Sequence, residues 1–405
     1  MYPNLSYIFH DLFGTEPDNW ASVFQTFGLF MALAFLSAAL NLYAELRRKE
    51  KQGLMLPVKD MITVGKPASP IEMLWNTFIG FLIGFKVLYI FQNFPAFQED
   101  APGVLMSTKG SILGGIALAV IFAGLKYWEK NKDKLDTPRE QAINIFPSDR
   151  TGDITVVAAI TGLLGAKIFA LIETPAQFMD DPIGQLFSGS GLAIYGGLIG
   201  GTIGVIAYIA WKKISIPHFA DAVAPGLMLS YGVGRIGCQM SGDGDWGVPV
   251  KGPNEYWDYE YDWSEAPSWL SWAPDWFWKY DYPHNVNQDG GPTRAVVENC
   301  DWNYCAKLDI PVFPTPLWEI VAALFLFGIL WSIRKKITVP GVLFCIYLIF
   351  NGIERFWIEG YRVNDHYDWL PGNWTQAELI AVMLITIGVV LGGYLWTNGK
   401  KTVKT

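Results

Sequence analysis

Nine stretches of this chain are apolar over enough residues to cross a bilayer, near 21–45, 72–94, 108–128, 153–173, 190–213, 217–240, 315–334, 340–357 and 375–396. A spanning helix needs about 17–25 such residues, and a membrane strand about half that. In hydrocarbon the backbone must satisfy its own hydrogen bonds, so runs of this length read as helices. The pattern predicts an all-α, polytopic membrane protein of about nine transmembrane helices, a single transmembrane domain over 1–405. The sixth run, PHFADAVAPGLMLSYGVGRIGC, carries proline, aspartate and arginine and is open to a break in the helix. Charged residues make up only 17% of the chain, against the ~25% usual in soluble domains. The first twenty residues lack the basic start, compact apolar run and small-residue cleavage site of a signal peptide, so the first run is expected to serve as the insertion signal.

Basic residues follow alternate runs: ELRRKEK after the first, KYWEKNKDK after the third, WKK after the fifth, IRKK after the seventh, and GKKTVKT at the end. Cytoplasmic connections carry the excess of lysine and arginine. The alternation therefore predicts an N-terminus outside and a C-terminus inside.

Two further features organise the chain. The stretch FLIGFKVLYIFQNFPAFQED (81–100) resembles GLLGAKIFALIETPAQFMDD (162–181), and each precedes a glycine-rich run. Residues 72–130 thus read as an extra hairpin, a parallel duplicate of 153–213, whose glycines let helices approach closely. Lys86 and Lys167 occupy equivalent positions in the two copies. A transporter built on inverted repeats is not supported. The other feature is an acidic stretch rich in Trp and Tyr at 244–313, on the outer side by the flank rule. It reads either as an aromatic belt at the membrane interface or as a lid or peptide-binding surface. Cys300 and Cys305 within it can pair if that side is oxidising. Cys238 and Cys345, in or beside apolar runs, read as buried small residues.

The chemistry concentrates where charge enters apolar runs. In YGVGRIGCQMSGDGDWG (231–247), Arg235, Asp243 and Asp245 stand among six glycines. An unpaired charge at such a depth costs roughly several kcal/mol, so the arginine needs an anionic partner. A second set lies in NGIERFWIEGYRVND (351–365), where Arg355–Glu359 and Glu359–Arg362 have the spacing of neighbours on a helix. Glu319, at the start of the seventh run, is a third acid expected at that level. The planar guanidinium fork suits phosphate better than an ammonium does. The two arginine sets can therefore clamp one lipid phosphate, or can simply be structural ion pairs. His10, His218, His284 and His366 show no metal-ligand spacing, and no metal is expected. GxSxG, HExxH and P-loop motifs do not occur, which disfavours serine hydrolase, zinc protease and ATP-driven pump. With no basic patch, nucleic-acid binding is discarded.

Several ordered motifs carry a resemblance: TFGLFMALAFL (26–36), GLLGAKIF (162–169), LAIYGGLIGG (192–201), FADAVAPGL…GRIG…DGDWG (219–247), PTPLWE (314–319) and RFWIEGYRVND (355–365), with Gln376 before the last run. By these the chain resembles the bacterial prolipoprotein diacylglyceryl transferases. The resemblance covers most of the chain apart from 46–150 and the aromatic insertion. It implies transfer of a diacylglyceryl group from phosphatidylglycerol to the cysteine thiol of a prolipoprotein signal peptide, with release of glycerol phosphate and no cofactor. The reaction would take place at the outer face of the bacterial inner membrane, among membrane lipid.

Carried over position by position, Arg235 matches the family's signature arginine for the phospholipid headgroup, and Arg355 matches the arginine of its late RFxxE motif. Glu359 is then the acidic companion of Arg355, and Arg362 the next basic position. Asp243 or Asp245 stands where the family has a glutamate. Gly196 and Gly197 match the glycines of its His-Gly-Gly turn. Tyr195 replaces the histidine of that turn, Cys238 an asparagine, and Phe27 and Asn351 two tyrosines. The resemblance thus implies catalytic roles for Arg235, Arg355, Glu359, Asp243 and Tyr195. Substrate binding would fall to Arg235, Gly196, Gly197, Arg362, Cys238 and Glu319. Tyrosine is a poor base at neutral pH, so an acid such as Asp243 or Glu359 is the alternative activator. Two other readings stay open: a related lipid-headgroup transferase with another acceptor, and a non-catalytic lipid- or peptide-binding membrane protein.

Overall fold

The structure is a computed structural model and describes residues 1–64, 66–99, 101–132, 134–135, 137, 139–182, 185, 193–250, 268–291, 294–364, 367 and 374–402. Residues 251–267 of the aromatic stretch, and Asp365 and His366, lie outside the described residues. The principal helices are α1 (Leu5–Phe13), α2 (Thr26–Lys51), α3 (Pro70–Gln92), α4 (Ile112–Lys132), α5 (Thr151–Glu173), α6 (Ile194–Trp211), α7 (Ile216–Ser241), α8 (Thr315–Ile333), α9 (Val342–Glu359) and α10 (Gln376–Thr402). Among the described residues seven helices are long and apolar enough to cross a membrane, namely α2 to α6, α8 and α10. The remaining two expected spans form α7 and α9. They are less apolar because α7 carries Asp221 and Arg235, and α9 carries Glu354, Arg355 and Glu359.

The all-α expectation needs one amendment. Strand β1 (Val58–Val64) pairs antiparallel with β2 (Arg139–Ile145), Val58 opposite Ile145 and Val64 opposite Arg139. Four of the seven β1 residues are β-branched, which favours a pleated surface, whereas β2 has only Ile143 and Ile145; both are too short to register as apolar runs.

The chain packs as two compact units, residues 1–55 with 215–405, and residues 56–214. The second unit holds two helical hairpins, α3–α4 and α5–α6, with β1 and β2. Gly84 and Gly114 bring α3 and α4 together so closely that a Cβ on Gly84 would lie 2.1 Å from the Gly114 carbonyl oxygen. In the other hairpin a Cβ on Gly165 would lie 2.3 Å from the carbonyl oxygen of Gly196. A backbone bond recurs as well: the Ser111 N–H donates to the Phe85 carbonyl at 2.8 Å, and the Ala193 N–H to the Ala166 carbonyl at 3.0 Å. The Lys86 ammonium donates to the carbonyls of Val104 and Lys109, both at 3.0 Å, and to Ser107, and so ties down the connection between α3 and α4.

In the first unit α7 packs against α2, α8 and α9, and α10 against α9. Rather than breaking, α7 runs unbroken through Pro225. That proline forgoes one backbone bond, a loss tolerated where neighbouring helices enclose it. The helix stops at Gly242, whose φ of +64° is the left-handed conformation glycine adopts without a Cβ clash. Asp221 near the start of α7 accepts the backbone N–H groups of Gly341 (2.8 Å) and Phe344 (3.1 Å). It thereby caps α9, whose own N-cap residue is a glycine with no side chain to offer. Thr375 and Glu378 cap α10 reciprocally, at 3.2 and 2.9 Å.

Part of the aromatic insertion folds onto this unit. Val248, Val250, Leu270, Trp278 and Phe313 form a buried cluster with Trp318 of α8 and Ile358 of α9. Cys300 and Cys305 are disulfide-bonded, and the Tyr7 ring of α1 stacks on Trp302 at 4.2 Å. Cys238 and Cys345 are free and buried.

Candidate active site

The first unit gathers its charges around Glu319, which is 0% exposed. Its Oε2 lies 3.1 Å from Arg235 Nε and 3.7 Å from Arg362 Nη1, and its Oε1 lies 3.7 Å from Arg355 Nη1. One carboxylate thus meets three guanidinium groups carried by α7, by α9 and by the turn after α9. The arginines are fixed from their other sides. Arg235 also donates to Asp245, as does Arg362 at 2.6 Å. Arg355 Nη2 bridges to Glu359 Oε2 at 2.7 Å, with the i,i+4 spacing read from the sequence. Glu359 Oε1 in turn accepts from Asn364 (2.7 Å) and Thr375 (2.8 Å). Arg362, expected beside Glu359, lies past the helix end and turns to Asp245 instead.

The Asp243–Gly247 turn is stitched down by the Gly247 N–H to the Phe313 carbonyl at 2.8 Å and by the Thr315 hydroxyl to the Asp245 carbonyl at 3.0 Å. Gly244 (φ +95°) lets the chain fold back, so that the Asp243 side chain accepts the Asp245 N–H at 3.3 Å. The two aspartates stand differently. Burial would raise the pKa of Asp245, but Arg235 and Arg362 outweigh it and hold the group at about 2. Asp243 is pushed upward by burial first and by the charge of Asp245 second. Burial works against the charge of Arg362, yet Asp245 and Glu319 raise its pKa. Of the two aspartates the sequence left open, Asp245 is therefore the one paired with arginine.

Cys238 Sγ lies 3.9 Å from Arg235 Nη1. Ligand atoms of Cys238, Asp243 and Asp245 lie within 4.8 Å of one another. The two guanidinium groups already on Asp245 make that set a poor one for a cation. Tyr195, Gly196 and Gly197 belong to the second unit, at the start of α6, where Gly196 meets Gly165 across the hairpin. The arginine cluster and the glycine turn thus belong to separate units.

Two residues of the cluster went unmarked in the sequence. The Tyr231 hydroxyl lies 2.9 Å from Glu319 Oε1 and 3.2 Å from Glu354 Oε1, and the Arg235 guanidinium sits 5.3 Å from the Tyr231 ring centroid. The available signal was Glu354 itself, a third charge in a segment that also carries Arg355 and Glu359.

Fold and site together define a polytopic helical membrane protein with a buried guanidinium–carboxylate centre. A profile of the family described as prolipoprotein diacylglyceryl transferase matches residues 133–394. The chain belongs to that family. Three curated relatives are phosphatidylglycerol–prolipoprotein diacylglyceryl transferases. That of Corynebacterium efficiens is 29% identical over 218 residues, covering 53% of this chain and 58% of that protein. That of Dehalococcoides mccartyi is 26% identical over 249 residues, 62% of this chain and 78% of the relative. That of Staphylococcus xylosus is 28% identical over 261 residues, 61% and 74%. The α3–α4 hairpin precedes the matched residues.

Proposed function

We propose that this chain carries out the transfer for which its relatives are named, moving a diacylglyceryl group from phosphatidylglycerol to the cysteine thiol of a prolipoprotein signal peptide. One observation carries the reading to these residues. Arg355 Nη1, Arg362 Nε and Arg362 Nη1 are buried and make no hydrogen bond to any described residue. Buried N–H groups of this kind are rarely left without an acceptor. A phosphodiester offers oxygens to all of them and suits the planar fork.

Arg235, Arg355 and Arg362 hold the phosphate and stabilise the charge that grows on the departing glycerol phosphate. The thiol passes its proton to a carboxylate such as Asp243 or Glu359, sulfur bonds to the glycerol carbon, and the carbon–oxygen bond to phosphate breaks, its electron pair leaving with the oxygen. Glu319, Asp245 and Glu359 keep the guanidinium groups aimed. For Tyr195, Gly196 and Gly197, which lie in the second unit, the reading rests on the family's turn at that position. Asp243 and Cys238 border the arginine cluster.

The finer topology belongs to the same proposal. Nine spans, with α7 and α9 crossing inside the bundle, leave the N-terminus outside and the C-terminus inside, as the five basic flanks support. The centre then opens toward the outer face of the inner membrane. Residues 72–130 act as an added copy of the 153–213 hairpin, and the 244–313 insertion as a cover on the outer face.

Purified protein in phosphatidylglycerol vesicles, given a lipobox peptide, is expected to yield a diacylglyceryl thioether detectable by mass. Product formed only with another nucleophile in place of the peptide would move the reading to a related lipid-headgroup transferase. No product with any acceptor would overturn it.

A further inference from the structure

The contact among Glu354, Tyr231 and Glu319 has a feature that the reaction as written does not use. Tyr231 Oη lies 2.9 Å from Glu319 Oε1, and 3.2 and 3.3 Å from the two oxygens of Glu354. Glu319 is 0% exposed and Glu354 6%. A phenol has one O–H to donate, and an ionised carboxylate has none. If both acids were ionised, one of them would face the phenol lone pairs with no proton between, buried beside a second negative charge. Such an arrangement is heavily penalised in a dry interior.

The surroundings say which acid is neutral. Glu319 is approached by Arg235, Arg355 and Arg362. Glu354 has no salt bridge to any described residue. The groups facing it are Tyr231 and Arg235 of α7, Glu319 of α8, and Arg355 and Tyr347 of its own helix.

We infer that Glu354 carries a proton and that Glu354, Tyr231 and Glu319 form a relay that switches the three-arginine cluster between a closed, self-neutralised state and one that accepts a phosphodiester. The inference rests on the transferase reading given above. In the resting state Glu354 donates to the Tyr231 oxygen, and Tyr231 donates to the ionised Glu319. When the phospholipid phosphate arrives, two protons shift together. The Glu354 proton passes to the Tyr231 oxygen, and the Tyr231 proton passes to Glu319. No proton is gained or lost. One negative charge moves from Glu319, among the arginines, to Glu354 on the far side of the phenol, and the phosphate takes the place vacated. Tyr231 and Glu354 are positioning residues in this scheme, because neither touches the phospholipid.

The variants Tyr231→Phe and Glu354→Gln keep the shape of the site and block the proton shift. Both are expected to raise the KM for phosphatidylglycerol about tenfold, the effect of losing one hydrogen bond to a charged group, with a smaller change in kcat. Infrared difference spectra report the proton without turnover. Wild-type protein should show a protonated-carboxyl band that is missing in Glu354→Gln and that shifts when phosphatidylglycerol is added. Absence of that band, or a Tyr231→Phe enzyme with wild-type KM, would overturn the relay. A wild-type protein that makes no thioether overturns the transferase reading instead, whatever the spectra show.

Discussion

Replacing Arg235 tests how much of the site depends on a two-pronged cation. The residue spans two acids with one planar group, meeting Glu319 at 3.1 Å through Nε and Asp245 through Nη1. Lysine keeps the charge but offers a single ammonium, which reaches only one of the two acids. The loss of one charge-assisted hydrogen bond, roughly 1.5–3 kcal/mol, corresponds to about 10- to 150-fold in kcat/KM if the contact matters in the transition state. Alanine removes the charge as well. Even then no acid is stranded, because Asp245 keeps Arg362 at 2.6 Å and Glu319 keeps Arg355 and Arg362 at 3.7 Å. The stability cost of Arg235→Ala should therefore fall at the lower end of the roughly 3–5 kcal/mol typical of a broken buried pair. Thioether formation in phosphatidylglycerol vesicles, read alongside thermal unfolding, is expected to rank wild type above Arg235→Lys and Arg235→Ala lowest. A lysine variant within about twofold of wild type would refute the argument from the fork.

The two aspartates give opposite pH signatures. Asp245 lies below its ordinary value, so it stabilises the fold above that value, and the contribution fades as pH falls toward about 2. Asp245→Asn should unfold at a lower temperature than wild type by an amount that is constant from neutral to alkaline pH. Asp243 lies above its ordinary value, and its advantage is lost as pH rises through the raised value. Asp243→Asn should thus gain on wild type in thermal unfolding as pH rises, and a gap that shrinks instead would count against its burial. In the second unit, Gly84→Ala should cost about 1–3 kcal/mol through overpacking, because its Cβ would lie 2.1 Å from the Gly114 carbonyl oxygen. Gly124→Ala, with nothing within 4 Å, should be neutral or gain up to about 1 kcal/mol of helix propensity. Equal melting of the two variants would remove the close-contact argument.

The helices were legible because hydrocarbon forces long apolar runs into one kind of element. The arginines and acids were legible because charge inside such runs is rare enough to need a reason. Tyr231 was not, since a tyrosine in an apolar run has many ordinary uses and its role depends on acids 88 and 123 residues away. The choice between Asp243 and Asp245 was not legible either, because the turn through Gly242 and Gly244 decides which carboxylate points at Arg235. The sheet escaped because a periodicity tuned to membrane spans passes over two seven-residue strands.

The cap that Asp221 places on α9 gives α7 and α9 a common origin. From Asp221 to Arg235 the chain advances fourteen residues along α7, and from Gly341 to Arg355 it advances fourteen along α9. At 1.5 Å per residue both distances are about 21 Å. The two helices behave as rails of equal length, pinned at one end by a carboxylate on backbone N–H groups and at the other by guanidinium groups meeting over Glu319. A residue added to or removed from either rail would turn its arginine by about 100° and shift it along the axis. The spacing between cap and arginine is thus as much a part of the site as the arginines themselves.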